Sequence, residues 1–143
     1  LWYRRRLSLR LLPLVPLALF FALLSRARRL AYRSGLLSVA RLPVPVVVVG
    51  NLIAGGAGKT PLTLWLVDAL RARGRRPAIV SRGYGAENDA PLHVTLDHRP
   101  EQVGDEPLML ARRSGVPVVV CRNRAAAAYA LLQAHPDCDV IVA

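Results

Sequence analysis

A chain of 143 residues has room for about one domain and can bury a real core. Its two cysteines, Cys121 and Cys138, are too few for a disulfide framework; both sit in or beside apolar strand-like runs, as reduced packing residues of a cytosolic protein do. The net charge of +11 is uneven: nine Arg and Lys59 precede the first acid, Asp68, whereas residues 68–143 set ten Arg against nine acids. That distribution excludes a basic surface over the whole domain and assigns the excess to the N-terminal part.

Residues 1–35 read as a membrane-associated segment. Leu11 to Leu24 carries no charged or polar side chain, and Arg4, Arg5, Arg6 and Arg10 precede it while Arg26, Arg28, Arg29 and Arg33 follow. Arginine clusters around an apolar stretch suit an anionic bilayer surface, whereas a nucleic-acid-binding arm has no need of the apolar stretch. As a helix those fourteen residues cover about 21 Å, short of a hydrocarbon core of about 30 Å. A monotopic or partly inserted anchor is therefore the first reading. A single span, a signal peptide and a buried core helix are the alternatives. Pro13 and Pro16 should bend the helix or delay its start.

Residues 36–44 form a connector closed by Pro43 and Pro45, and an α/β domain, residues 45–143, follows. Val46 to Val49 reads as a strand buried on both faces of a parallel sheet. Thr60 to Arg73 reads as a helix with Pro61 in its first turn, an inward face of Leu62, Trp65, Leu66, Ala69 and Leu70, and Gly74 at its end. Ala78–Ser81 and Leu92–Leu96 are further strands. Asp105 is the expected N-cap of a helix reaching about Arg113, which Gly115 ends. Val116–Cys121 is a buried strand, Asn123 caps a helix from Arg124 to His135, and Cys138–Ala143 is the last strand. Strands and helices in this alternation indicate a mostly parallel, doubly wound sheet.

Chemistry concentrates where the first strand meets the first helix. The octet Ile53-Ala54-Gly55-Gly56-Ala57-Gly58-Lys59-Thr60 follows an apolar strand and opens a helix, the order of a phosphate-binding loop. Such a loop approaches a polyphosphate with backbone N–H groups, while its lysine reaches the terminal phosphates and its threonine hydroxyl sits on Mg²⁺. Ile53 departs from the pattern, which begins with Gly. Of the 20 basic residues Lys59 is the only lysine, and a compact ammonium is what phosphate chemistry wants there. The absence of any other lysine rules out an N-K-x-D guanine-binding motif, which makes ATP the expected nucleotide.

Ligands of open α/β sheets bind beyond the carboxyl ends of the strands. Arg82 and Tyr84, in Ser81-Arg82-Gly83-Tyr84-Gly85, follow the second strand and could meet a phosphate or line a pocket; a glycine-rich turn with a solvated arginine reads equally well. Asp105 and Glu106 could activate a hydroxyl acceptor and support Mg²⁺, or simply complement a helix dipole. Asp137 and Asp139 precede the last strand and read as turn residues, while His93, His98 and His135 show no metal-ligand spacing. A carboxylate for Mg²⁺ is expected just after a strand such as Val140–Val142. The chain starts at Leu1 rather than Met, and together these features lead us to expect a fragment.

Taken together, the 44–62 region, Ser81–Gly85 and Gly104-Asp105-Glu106-Pro107 resemble the tetraacyldisaccharide 4′-kinase family, in which the leading glycine of the loop is also missing. The resemblance implies a P-loop NTPase-like α/β fold with an N-terminal membrane-associated helix. It implies ATP-dependent phosphorylation of the 4′-hydroxyl of a lipid A disaccharide precursor at the cytoplasmic face of the bacterial inner membrane. Carried over by motif, residues 53–60 bind ATP, with Lys59 and Asp105 in catalytic roles. Thr60 and Glu106 hold Mg²⁺; Arg82 and Tyr84 are candidates for contact with substrate by their place after the second strand rather than by the resemblance. The implied partners are the lipid precursor and the anionic membrane surface, without nucleic acid or an obligate protein partner. It also implies an Asp-Asp-Gly motif just after Ala143 and a distant histidine partner, so residues 1–143 alone are expected to lack turnover. The alternative class is a membrane-associated P-loop ATPase switch of the partitioning or targeting type, whose signature lysine would stand where Ala54 does.

Overall fold

The computed structural model describes residues 13–50, 58–83 and 89–143. Two compact units result, Leu1–Ala40 and Arg41–Ala143. The first contains helix α1, Val15–Arg33, which starts with Pro16 in its first turn, where a missing N–H costs nothing. Its two halves differ along the axis rather than around it. Residues 15–24 are apolar and exposed, Phe21 at 72%, whereas Arg26, Arg28, Arg29 and Arg33 occupy the second half. The Arg28 guanidinium lies 5.7 Å from the centroid of the Tyr32 ring and donates to its hydroxyl at 3.3 Å. Because the arginines interrupt the apolar run, no helix among the described residues is long and apolar enough to cross a membrane.

The second unit is a five-stranded sheet with helices on both faces. Strands β1 (Val46–Val47), β2 (Pro77–Ser81), β3 (Leu92–His93), β4 (Val118–Val120) and β5 (Val140–Val142) lie in the order β1-β5-β2-β4-β3. The first four in that order are parallel, and β3 closes the far edge antiparallel to β4. The helices are α2 (Lys59–Arg71), α3 (Pro100–Val103), α4 (Asp105–Ser114) and α5 (Arg124–Ala134).

Period-two alternation divides the core. Ala78, Val80, Val119 and Ile141 face Ala127, Ala128 and Leu131 of α5, while Ile79, Val118 and Val142 face Val67 of α2 and Leu110 of α4. Val120 extends the second face onto Val103 and Leu108. Each fully buried valine, leucine or isoleucine contributes about 1.5–3 kcal/mol over an exposed one. Since β2, β4 and β5 are buried on both sides, they hold the sheet together.

Four sequence expectations change. Among the described residues the valine run 46–49 is not buried on both faces: β1 lies at the edge of the sheet they form, with Val46 41% and Val48 68% exposed. Four consecutive valines read alike in a central or an edge position, and only pairing decides which. Helix α2 buries Thr63 and Val67 rather than Leu62 and Trp65, a rotation of its inward face set by packing against α4 as well as the sheet. Asp105 is not the N-cap. Gly104 is, at φ 90° and ψ 150°, a region that side chains other than hydrogen rarely tolerate, and Asp105 opens the helix proper. The short α3 before it was not foreseen. Asn123 does cap α5, its Oδ1 accepting from the N–H groups of Ala125 and Ala126.

Candidate functional site

The parallel strands point their carboxyl ends to one rim, and the chain brings four segments there. Helix α2 begins at Lys59 behind Gly58, whose φ of 68° is left-handed and suits glycine. Ser81 ends β2. Helix α5 begins at Arg124, four residues beyond β4, and α4 presents its first turn, Asp105 and Glu106. Between them lies a cleft lined by Lys59, Thr63, Ser81, Glu106 and Arg124, with Val49 and Ala143 along its wall.

Helices α2 and α4 set the polar geometry by lying side by side in the same direction. At their beginnings the Thr60 hydroxyl donates to Glu106 Oε1 at 2.8 Å; at their ends Arg71 donates to the Ser114 carbonyl at 3.1 Å. The first bond joins residues 46 positions apart, and both were selected from sequence for the same metal. These are hard oxygen donors at two helix N-termini. Among the described residues no group of three His, Cys, Asp or Glu could enclose a metal. Mg²⁺ suits such a site, because it takes one or two protein oxygens and completes its shell with water and phosphate.

The remaining sequence candidates are placed unevenly. Lys59 and Glu106 line the cleft, Thr60 is partly buried beside it, and Asp105 is exposed in the first turn of α4 without lining the cleft. Arg82 is exposed just past β2 and does not line it either. Ile53, Ala54, Gly55, Gly56, Ala57 and Tyr84 lie outside the described residues. Asp137 and Asp139 sit at the opposite rim, paired with Arg76 at 3.6 Å and Arg75 at 3.5 Å.

Arg124 escaped the sequence reading. The rule that drew attention to Arg82 applies to it equally, since it opens the helix after β4, but Asn123 beside it drew attention only as a cap. Two cations, Lys59 and Arg124, thus share a cleft with one carboxylate, Glu106. Neither cation has an ion pair among the described residues. The arrangement is electrostatically prepared for an anion with several oxygens.

The titration behaviour of Cys138 belongs to the opposite rim. Burial pushes its thiol above the usual range, with further upward pressure from Asp139 and Asp137, partly offset by hydrogen bonding from the backbone at Val140 and Ala78. Cys121 and Cys138 are both buried and unbridged, as the strand pattern suggested.

The family model described as tetraacyldisaccharide-1-P 4′-kinase matches residues 10–143. The tetraacyldisaccharide 4′-kinase of Azoarcus sp. is 56% identical over 140 residues, covering 98% of this chain and 41% of that protein. The same enzyme of Dechloromonas aromatica is 57% identical, over 99% of this chain and 41% of that protein. Among solved structures, an "apo" form of LpxK from Aquifex aeolicus in complex with ATP superposes with a TM-score of 0.75 at 32% identity. That match covers 91% of this chain and 42% of the other. The chain therefore spans about two fifths of the length of its curated relatives.

Proposed function

The chain belongs to the tetraacyldisaccharide-1-P 4′-kinase family, and from that premise we propose that the full-length protein transfers the terminal phosphoryl group of ATP to the 4′-hydroxyl of a tetraacyldisaccharide 1-phosphate, a lipid A precursor. The observation that carries this reading is the 2.8 Å bond from Thr60 to Glu106. It joins the end of the glycine-rich octet to the Gly-Asp-Glu-Pro turn, the nucleotide half of a kinase site to its acceptor half.

In this reading the second unit is the nucleotide-binding part of a P-loop NTPase-like fold, and residues 53–60 wrap the phosphates. Lys59 meets the β- and γ-phosphates, and Arg124, which lines the same cleft, approaches the transferred group. Thr60 and Glu106 would hold Mg²⁺, which when bound would supply positive charge to offset what builds on the phosphates during transfer. Asp105, one residue before Glu106, takes the proton of the sugar hydroxyl as its oxygen bonds to phosphorus and the bond to the ADP oxygen breaks. Arg82 and Tyr84 contact the lipid substrate.

Helix α1 and its flanks, residues 1–35, serve as a monotopic anchor joined through residues 36–44 to the kinase domain that begins at residue 45. The ten apolar residues of α1 cover about 15 Å, roughly half a hydrocarbon core, and the arginines beyond them meet anionic head groups. Such an anchor holds the site at the cytoplasmic face of the inner membrane, where a tetraacylated acceptor resides.

The test is Lys59→Ala in the full-length enzyme, assayed for phosphorylation of the disaccharide and for thermal stability. Loss of one preorganised contact to the transferring group should lower turnover about 10²–10³-fold, with the melting temperature unchanged. Unimpaired phosphorylation would remove the basis for the phosphate-binding assignment.

A further inference from the structure

The connector that precedes β1 is fastened to the sheet earlier than its sequence suggests. Residues 36–44 read as a link, yet Leu42 and Val44 pack against the core cluster on the α5 face, and the second compact unit begins at Arg41. At that residue the Tyr129 hydroxyl of α5 donates to the Arg41 carbonyl at 3.1 Å, across 88 positions of sequence. Pro43 and Pro45 stiffen what lies between. Each fixes its own φ, and each disfavours helical backbone at the residue before it, Leu42 or Val44.

The strap so formed has a direction. The Pro45 carbonyl accepts from the Ile141 N–H at 3.0 Å, at the start of β5 and so at the amino rim. Helix α5 runs the other way from the strands, from Arg124 at the cleft to Ala134 about 15 Å away. Tyr129 stands midway along it, and helical side chains lean towards the helix N-terminus, here the cleft end. Arg41 is therefore held about halfway up the α5 face, and the chain bends at Pro43 and Val44 on its way to the amino rim. Without this fold-back the chain would leave the domain at the rim opposite the cleft.

The strap also sets how much free link remains. Helix α1 is closed by Gly35 at φ 79° and by the Leu37 N–H, which donates to the Ala31 carbonyl at 3.1 Å. Only Ser38, Val39 and Ala40 separate that fastening from Arg41. The stretch from Leu37 to Arg41 reaches about 14 Å at most, whereas one from Leu37 to Pro45 would reach about 28 Å.

On the reading of residues 1–35 as an anchor and of the cleft as a lipid kinase site, we propose that Tyr129 is a positioning residue for work at the bilayer: its hydroxyl holds Arg41 against α5 and leaves residues 38–40 as a short hinge that keeps the cleft near the membrane-embedded acceptor. Tyr129 does not line the cleft. It acts through the tether, because effective concentration falls roughly as the −3/2 power of tether length.

Measurements on the full-length enzyme test this, with Tyr129→Phe keeping the ring and removing only the donor. The first needs neither nucleotide nor lipid. A thiol in Leu42→Cys should react with maleimide about 2–10-fold faster when Tyr129→Phe is added, the range that one net hydrogen bond supplies. Equal rates would mean that the hydroxyl does not hold the strap and would overturn the proposal. The second compares kcat/KM for tetraacyldisaccharide 1-phosphate in vesicles of phosphatidylethanolamine and phosphatidylglycerol with that for the same acceptor in non-ionic detergent micelles, which can meet the cleft from any side. Tyr129→Phe should lower the vesicle value at least about twofold and leave the micellar value and the KM for ATP unchanged. Equal losses in both presentations would assign Tyr129 to the stability of α5, and no loss in either would leave the strap without a role; both results overturn the proposal. Inserting four Gly and Ser residues after Ala40 doubles the tether with Tyr129 intact, so a vesicle-only loss of about threefold is expected. Unchanged vesicle kinetics in that variant would overturn the proposal whatever Tyr129→Phe does to folding. A wild-type enzyme that phosphorylates no disaccharide would instead sink the kinase reading, while the thiol rates still decide whether Tyr129 holds the strap.

Discussion

The two rims of one sheet use their charges in opposite ways. At the amino rim, where β5 begins, Asp137 and Asp139 pair with Arg76 and Arg75, and Asp139 also accepts from the Arg76 N–H at 2.9 Å. At the carboxyl rim Lys59 and Arg124 face a cleft without an ion pair among the described residues, and the one carboxylate there is engaged by a hydroxyl. Charges of the first kind satisfy one another and close a turn. Those of the second kind are left for a ligand, which is why the same arginine-rich composition produces structure at one end and a candidate site at the other.

The contrast breaks most visibly at Glu106. Glu106→Gln keeps an acceptor for Thr60 but removes the charge. Phosphorylation by the full-length enzyme should fall about 10–100-fold with a raised Mg²⁺ requirement, the scale seen when a group supporting a metal is altered. A Mg²⁺ titration that superposes on wild type would show that Glu106 serves only to join the helices. Arg124→Ala follows. Removing one charged hydrogen-bonding partner of a phosphoryl group should cost about tenfold in kcat/KM, with the melting temperature unmoved. A fall in stability with activity intact would place Arg124 with the structural arginines instead.

At the amino rim the expected effects are smaller and concern stability. Asp139→Ala removes a half-exposed ion pair and one accepted N–H, so chemical denaturation should register about 1 kcal/mol or less, with kinase activity unchanged. Cys138 gives the slightest signal. Its folded-state thiol titrates above the ordinary value, so its contribution is fully present below the pKa of the unfolded chain and fades as pH rises through the folded value. Denaturation midpoints compared with Cys138→Ala should therefore diverge least at alkaline pH, and parallel pH profiles would count against that assignment.

Much of this molecule is written locally. The apolar runs at β2, β4 and β5, the Asn123 cap, the glycines that close α2 and α4, and the apolar and arginine-rich blocks of residues 1–35 depend on a few neighbouring residues, because backbone geometry repeats every two or 3.6 positions. Lys59, Thr60 and Glu106 could be picked out for the same reason, each lying in a short recognisable turn. Other features needed the folded chain. A valine run has the same pattern at an edge or in the centre, so β1 could be read as buried. Helix α2 has more apolar positions than it can bury, so only contact with α4 and the sheet selected Thr63 and Val67 over Leu62 and Trp65. The strand order, the bond between Thr60 and Glu106 and the cleft shared by Lys59 and Arg124 all bring together residues far apart in sequence. Periodicity tells which way a side chain points from its own element; which element stands opposite is decided by the packing of the whole sheet.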